Sequence, residues 1–393
     1  MKPDDGGSLA GRAIRVLAPG PPAWARPSTM PPIIARRARG PYLFDIEDRR
    51  YVDFVMAWGS VALGYAHPVI DSAVRSQLED GNLFSLTHSL EIEVAERLIE
   101  VIPHAERVAF GKNGSDVCCA AVRLARAITG REGILHYGYH GFHDWSQAVN
   151  PTVRGVPSSL RAGIHTIEYG DEKALRSIFA EHGSDIAGVI LEPMRHVEPP
   201  PGYFTAIRAL TEKHGALLIF DEMVTGFRRA PASCSELFGV EPDLSCFGKA
   251  LSNGYALSAL VGRASLLDEV SSIGFGMTAR GESLALAASR AAFDVRATLD
   301  VSRRIADAGR ALRDGVHELS IAHGLDIRLV GHPSMMTFVH TVPNEVFLAA
   351  CLREGILTNG HVLPSAAHDD DAIRTSLDGF DRAFAALART HRT

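Results

Sequence analysis

Lys249 is one of five lysines in a chain of 393 residues, which carries 35 arginines. Its setting is apolar on both sides: Leu244-Ser245-Cys246-Phe247-Gly248-Lys249-Ala250-Leu251. Burial disfavours an ammonium and lowers its pKa, which turns the amine into a usable nucleophile. Upstream, the strand-like run Ala216-Leu217-Leu218-Ile219-Phe220 ends directly in Asp221-Glu222. A desolvated amine can form a Schiff base, and a carboxylate at a strand end can pair with a protonated ring nitrogen. Alone, Lys249 also reads as a solvated surface lysine, and Asp221-Glu222 as a turn or a helix start.

Four further segments carry groups that would complete such a site. Phe110-Gly111-Lys112-Asn113-Gly114-Ser115-Asp116 leads into a helical pattern with Val117, Ala121, Leu124, Ala125 and Ile128 on one stripe and Arg123 and Arg126 outside it. A strand, a glycine turn and a helix N-terminus make an anion site, to which Ser115 adds a hydroxyl. The same residues also read as a capped turn. Asp116 suits the helix dipole but would repel a phosphate if turned inward. Tyr137-Gly138-Tyr139-His140-Gly141-Phe142-His143-Asp144-Trp145 sets aromatics between glycines, which either present a flat face to a ring or fill the loop. No metal spacing makes ligands of His140 or His143. Leu191-Glu192-Pro193 places another carboxylate at a strand end, and Thr278 precedes Gly281-Glu282-Ser283 and an Ala-rich helix. Both also read as capping. Taken together, the phosphate, ring and amine contacts are those of pyridoxal 5'-phosphate, with no metal.

These groups need a scaffold. The short apolar runs Val108 to Phe110, Gly133 to His136, Ile186 to Leu191, Ala216 to Phe220 and Leu257 to Val261, spaced by helical segments, predict buried strands of a mostly parallel sheet. Residues 1–30, rich in Gly, Pro and Ala, read as an extended or mobile lead-in. Ile33 to Phe54 alternates as a hairpin turning at Glu47-Asp48-Arg49-Arg50. Glu282 to about His323 reads as one long helical segment. Strands at Ile327 to Val330 and Met335 to His340, and helices at Val346 to Arg353 and Asp370 to Arg389, follow as a smaller α+β domain. The division expected is 1–65 (amino-terminal segment and hairpin), 66–295 (large domain) and 296–393 (small domain).

A net charge of −6 argues against a nucleic-acid partner. No run is apolar for the length of a membrane span, and the first residues lack the apolar core of a signal peptide. Five cysteines without metal or disulfide spacing fit a reduced, cytoplasmic setting.

The ordered series Asn113-Gly114-Ser115-Asp116, Tyr139-His140-Gly141, Leu191-Glu192-Pro193, Asp221-Glu222 with Thr225-Gly226-Phe227-Arg228, Phe247-Gly248-Lys249 and Thr278 resembles the class III pyridoxal phosphate-dependent aminotransferases. The resemblance is strongest to the branch related to glutamate-1-semialdehyde aminomutase. It runs from about Pro32 to Ala386 and includes Trp58-Gly59 and Leu63-Gly64-Tyr65-Ala66-His67-Pro68. It implies fold type I: a large cofactor domain with a mostly parallel seven-stranded sheet between helices, and a smaller α+β carboxy-terminal domain.

By position, the resemblance implies that Lys249 is the Schiff-base lysine and Asp221 the partner of the ring nitrogen. Gly114 and Ser115 bind the phosphate, and Tyr139, with its neighbour His140, lies at the ring. Met223 lies on the ring's opposite face, where a branched residue is more usual, and Glu192 supports the site. Thr278 reaches the phosphate of the neighbouring subunit in a homodimer. The activity implied is ping-pong amino transfer from an amino acid to an aldehyde, keto acid or keto sugar, with an isomerase on the same cofactor as the rival.

Several departures bear on this. The loop from Met194 to Gly202 does not resemble the Asn- and Gly-containing loop of the aminomutases, and the hairpin turn at Glu47 lacks the usual glycine. The stretch between His340 and Val346 is compressed. For the substrate, Arg26 is either a carboxylate clamp or a solvated loop residue, and Trp58 either a pocket wall or core.

Overall fold

The computed structural model describes residues 8–18, 30, 32–194 and 197–391. The chain forms two compact units, one of residues 68–300 and the other of residues 1–67 with 301–393.

In the first unit, seven short runs form strands: β1 (Arg107–Gly111), β2 (Gly133–Tyr137), β3 (Ile164–Thr166), β4 (Ile186–Leu191), β5 (Leu217–Asp221), β6 (Leu244–Phe247) and β7 (Ser258–Gly262). They make one sheet in the order β1-β7-β6-β5-β4-β2-β3. Pairs from β6 through β5, β4 and β2 to β3 are parallel, while β7 runs antiparallel to both neighbours. The sheet is thus mixed, with one reversed strand.

Strand β4 and the run from Leu217 to Phe220 in β5 are apolar throughout and buried because both faces are covered. In β5, Leu217 and Ile219 face a core that holds Val117, Ala121 and Leu124, while Leu218 and Phe220 face another that holds Phe179, Tyr203 and Ile207. The first of those cores is built on helix α1 (Gly114–Thr129), which begins at Asn113 and stops at Gly130 in a left-handed conformation. Asp116 caps its start, since Oδ2 accepts from the amides of Lys112 (3.1 Å) and Asn113 (2.7 Å). The carboxylate is therefore spent on the turn rather than aimed at an anion. Ile128, expected on the buried stripe, is 37% exposed.

Three expectations need correction. Neither β3 nor β6 was expected, since runs of three and four residues give too little pattern to read alone. The helical stretch after Glu282 is two helices, α2 (Ser283–Thr298) and α3 (Val301–Ala322), because Leu299 is extended (φ −134°, ψ 122°). The Gly/Pro/Ala-rich lead-in contains a helix at Leu9–Val16, started by Ser8, whose Oγ accepts from Gly11 N at 3.0 Å.

In the second unit, strands Ala35–Arg39, Tyr42–Asp45 and Arg50–Asp53 run antiparallel, and Ile356–Leu357 joins the last of them in parallel. This pairing puts the two ends of the chain in one body. The glycine missing from the turn is replaced by Asp48 at φ 58°. Asp45 Oδ1 steadies that turn by accepting from the amides of Glu47 and Arg49, both at 2.9 Å. The core of the unit brings Phe54, Leu312, Val316, Phe347, Phe380 and Phe384 together. A second sheet of Ile327–Val330, Met336–His340 and His361–Val362 completes it.

Candidate active site

Because β2, β4, β5 and β6 run parallel, their carboxyl ends lie along one edge of the sheet. Pairings of Tyr137 with Leu191, Leu191 with Phe220, and Asp221 with Cys246 line them up. Ligands of such sheets bind beyond the carboxyl ends of the strands. Strand β1 ends at the same edge, beside Ser258, whose Oγ donates to Asn113 O at 2.9 Å. The N-terminus of α1 opens there. Its first amides, those of Gly114 and Ser115 included, have no partner within the helix.

Asp221 is the buried centre of this edge, 2% exposed. Its Oδ2 lies 2.7 Å from His140 Nδ1 and accepts from Cys118 Sγ at 3.4 Å. Oδ1 accepts from the amide of Met223 at 3.1 Å. A carboxylate has about four acceptor positions, so one remains for a ring nitrogen. The His140 ring stacks on Trp145 with 6.0 Å between centroids and 10° between planes. Its Nε2 is buried with no hydrogen-bond partner in the structure, so Nδ1 carries the proton that meets the carboxylate.

Two glycines hold the aromatic loop over this centre. Gly138 has φ 111°, and a Cβ there would lie 2.6 Å from Glu192 Oε1, which accepts from the amide of Tyr139 at 2.7 Å. Gly141 has φ 98°, and a Cβ there would collide with Ser115 Oγ. That oxygen accepts from Phe142 N at 3.1 Å, which leaves its own proton to give. Met223 wedges between two backbones: a Cβ on Gly114 would sit 2.7 Å from its sulfur, and one on Gly248 2.8 Å.

Lys249 follows β6 in a left-handed conformation, φ 49°. Such strain in a non-glycine residue persists where the surroundings impose it, and it clusters at functional sites. The side chain is half-buried. Burial lowers its pKa, the carboxylates of Glu192 and Asp221 draw it back up, and the Arg228 guanidinium pushes it down again. Arg228 is itself fully buried, and burial pulls it down to about 10.

The sequence-derived residues do not all fall together. Gly114, Ser115, Tyr139, His140, Glu192, Asp221, Met223 and Lys249 all stand at or just beyond the one sheet edge. Tyr139 is 59% exposed in the single chain, and Thr278 is exposed in a turn before α2. Trp58 lies in the other unit, within a run of Met56, Ala57 and Trp58 at φ 45°, 49° and 58°. Its ring sits 6.1 Å from that of His361. Arg26 lies outside the described residues. Sequence reasoning missed the link from Cys118 to Asp221. The only signal was a cysteine three residues after Ser115, and the adjacency of helix and strand that gives it meaning is tertiary.

These residues fit pyridoxal phosphate on two observations: the open helix N-terminus beside the Ser115 hydroxyl, and the acceptor position left on Asp221. The aminotransferase class III family model matches residues 23–384. The chain belongs to the class III aminotransferases. It is 36% identical over 314 residues, 75% of this chain and 72% of the relative, to a glutamate-1-semialdehyde 2,1-aminomutase of Syntrophobacter fumaroxidans. It superposes on the FumI protein of Sphingopyxis sp. MTA144, solved in its PLP internal aldimine form, with TM-score 0.93, 30% identity and coverage of 98% of this chain and 97% of that one. An omega-transaminase from Sphaerobacter thermophilus gives TM-score 0.88 at 25% identity, covering 99% and 98%. The class III aminotransferase is a pyridoxal phosphate-dependent enzyme with the fold type I architecture of these structures.

Proposed function

We propose that this class III aminotransferase moves an amino group from an amino acid to an aldehyde, keto acid or keto-sugar-type acceptor in a ping-pong cycle. The observation that supports it most directly is the convergence of a desolvated Lys249, a buried Asp221 and the open α1 N-terminus on one sheet edge. Bound there, pyridoxal phosphate supplies a carbonyl for amine exchange and an electron sink for the substrate Cα. The amides of Gly114 and Ser115 and the Ser115 hydroxyl hold its phosphate. With the cofactor bound, Asp221 would pair with its ring nitrogen, and Tyr139 and Met223 would hold its ring. The Lys249 ε-amine would hold its carbonyl group and move the substrate Cα proton as base and acid. Glu192 holds the loop that carries Tyr139. Thr278, exposed in one chain, reaches the phosphate of a second copy in a homodimer. The five free cysteines are in keeping with a cytoplasmic enzyme.

Trp58 is held in a strained turn. Asp53 fixes the turn, since its Oδ1 accepts from Val55 N (2.7 Å) and Met56 N (3.0 Å) and its Oδ2 from the Tyr65 hydroxyl (2.7 Å).

A second reading, an isomerase such as a 1,2-aminomutase, draws on the aminomutase relative at 36% identity. One half-reaction separates the two. Given an amino donor alone, a transaminase releases one equivalent of keto acid per site. An amino-acid epimerase instead exchanges the α-proton with solvent and releases none, and a 1,2-aminomutase converts only its own amino substrate. Absence of keto acid with every donor tried would sink the transaminase reading.

A further inference from the structure

We propose that Cys118 is a positioning residue for the ring-nitrogen partner: its thiol donates to Asp221 and fixes the carboxylate that faces the cofactor. The inference rests on the pyridoxal phosphate reading of the site. It follows from the register of the sheet. Side chains alternate along a strand, so Asp221 continues the face of Leu217 and Ile219, the face that α1 covers. Cys246 is the cross-strand partner of Asp221 and turns to that same core. Cys118, on the first turn of α1, completes the group. All three are buried, with Cys118 and Cys246 at 0% exposure.

Within this dry pocket the contacts have a direction. Cys118 Sγ lies 3.4 Å from Asp221 Oδ2, and an ionised carboxylate only accepts, so the thiol gives its proton to that bond. Cys246 packs in the same buried core as Cys118. His140 Nδ1 approaches the same oxygen at 2.7 Å. Oδ2 is thus held from two sides, by a side chain of the aromatic loop and by one of α1. With the Met223 amide on Oδ1, these bonds settle how the carboxylate is turned and leave a single acceptor position open. A donor to the charged form also favours that form. The neighbouring Cys246 side chain, burial and the Asp221 carboxylate raise the pKa of the Cys118 thiol well above its ordinary value, which keeps the proton on sulfur. Because α1 begins at the phosphate-binding turn, Cys118 also ties that turn to the ring-nitrogen partner through one helical turn.

The test compares Cys118→Ala, Cys118→Ser and Cys118→Thr with the parent, all purified as holoenzyme, resolved, and titrated with pyridoxal phosphate. The readouts are cofactor affinity and the pH midpoint of the visible absorption band, beside the melting temperature. The alanine variant is expected to bind cofactor about fivefold more weakly, as for one lost hydrogen bond, and to shift the midpoint. Serine or threonine, which keep a donor, restore both even where the melting temperature falls. An alanine variant with parental affinity and midpoint overturns the proposal. So does an alanine and a hydroxyl variant shifted alike, which would mark Cys118 as simple packing. If the parent itself develops no visible band with pyridoxal phosphate, the reading of the whole site fails first.

Discussion

Burial works against the charge on Lys249, and that has a measurable sign. Its pKa in the folded chain lies below its ordinary value, so the unfolded chain binds the extra proton at intermediate pH. The stability that goes with the neutral amine is complete above the unfolded value, about 10.4. It is lost as pH falls through the lower folded value. In cofactor-free protein, Lys249→Met is therefore expected to unfold at higher denaturant than the parent at neutral pH, with a gap that narrows toward pH ~10.4. A gap independent of pH would contradict this. Asp221→Asn removes the charge from the proposed ring-nitrogen partner. Its steady-state turnover is expected to fall by about 10²–10³-fold, the usual cost of losing one aimed electrostatic contact. These two residues were legible in the sequence because a charge in apolar company is rare. Cys118 was not, because a cysteine in a helix becomes a partner of Asp221 only once the sheet brings β5 beneath α1.

The loops beyond the strands carry the chemistry, and their glycines show how tightly they are set. Gly141 and Gly130 both have positive φ, 98° and 67°. A Cβ at Gly141 collides with Ser115, whereas one at Gly130 meets nothing within 4 Å. Gly141→Ala is thus expected to lose about 1–3 kcal/mol or more in denaturant unfolding and to weaken cofactor binding. Gly130→Ala should cost about 1–2 kcal/mol for its left-handed backbone and leave binding alone. Equal effects on cofactor would show that the loop is not braced against Ser115. At this scale the apolar runs of β2, β4 and β5 and the helix of the phosphate turn were readable from pattern. Strand β6 was hidden in the approach to Lys249, β3 was too short, and the break between α2 and α3 falls at Leu299 with no Gly or Pro to mark it.

Thr278 and Tyr139 are exposed in the single chain, and the proposed homodimer would cover them. Sedimentation is expected to give a dimer at micromolar concentration. Thr278→Val is expected to raise the cofactor dissociation constant about tenfold, as for a hydrogen bond to a charged group. A fully active monomer would refute the shared site. The pairing of Ile356–Leu357 with Arg50–Asp53 could not be read from the sequence. Contacts between the two ends of a chain leave no local periodicity.

The central claim, that Lys249 carries pyridoxal phosphate, has a direct measurement. Native holoenzyme is reduced with borohydride, digested and mapped by peptide mass spectrometry. The account predicts a phosphopyridoxyl group on Lys249 and on none of the other four lysines, and no such peptide from the Lys249→Ala variant. A modification on Lys2, Lys112, Lys173 or Lys213, or an unmodified Lys249 in visibly coloured protein, would contradict it.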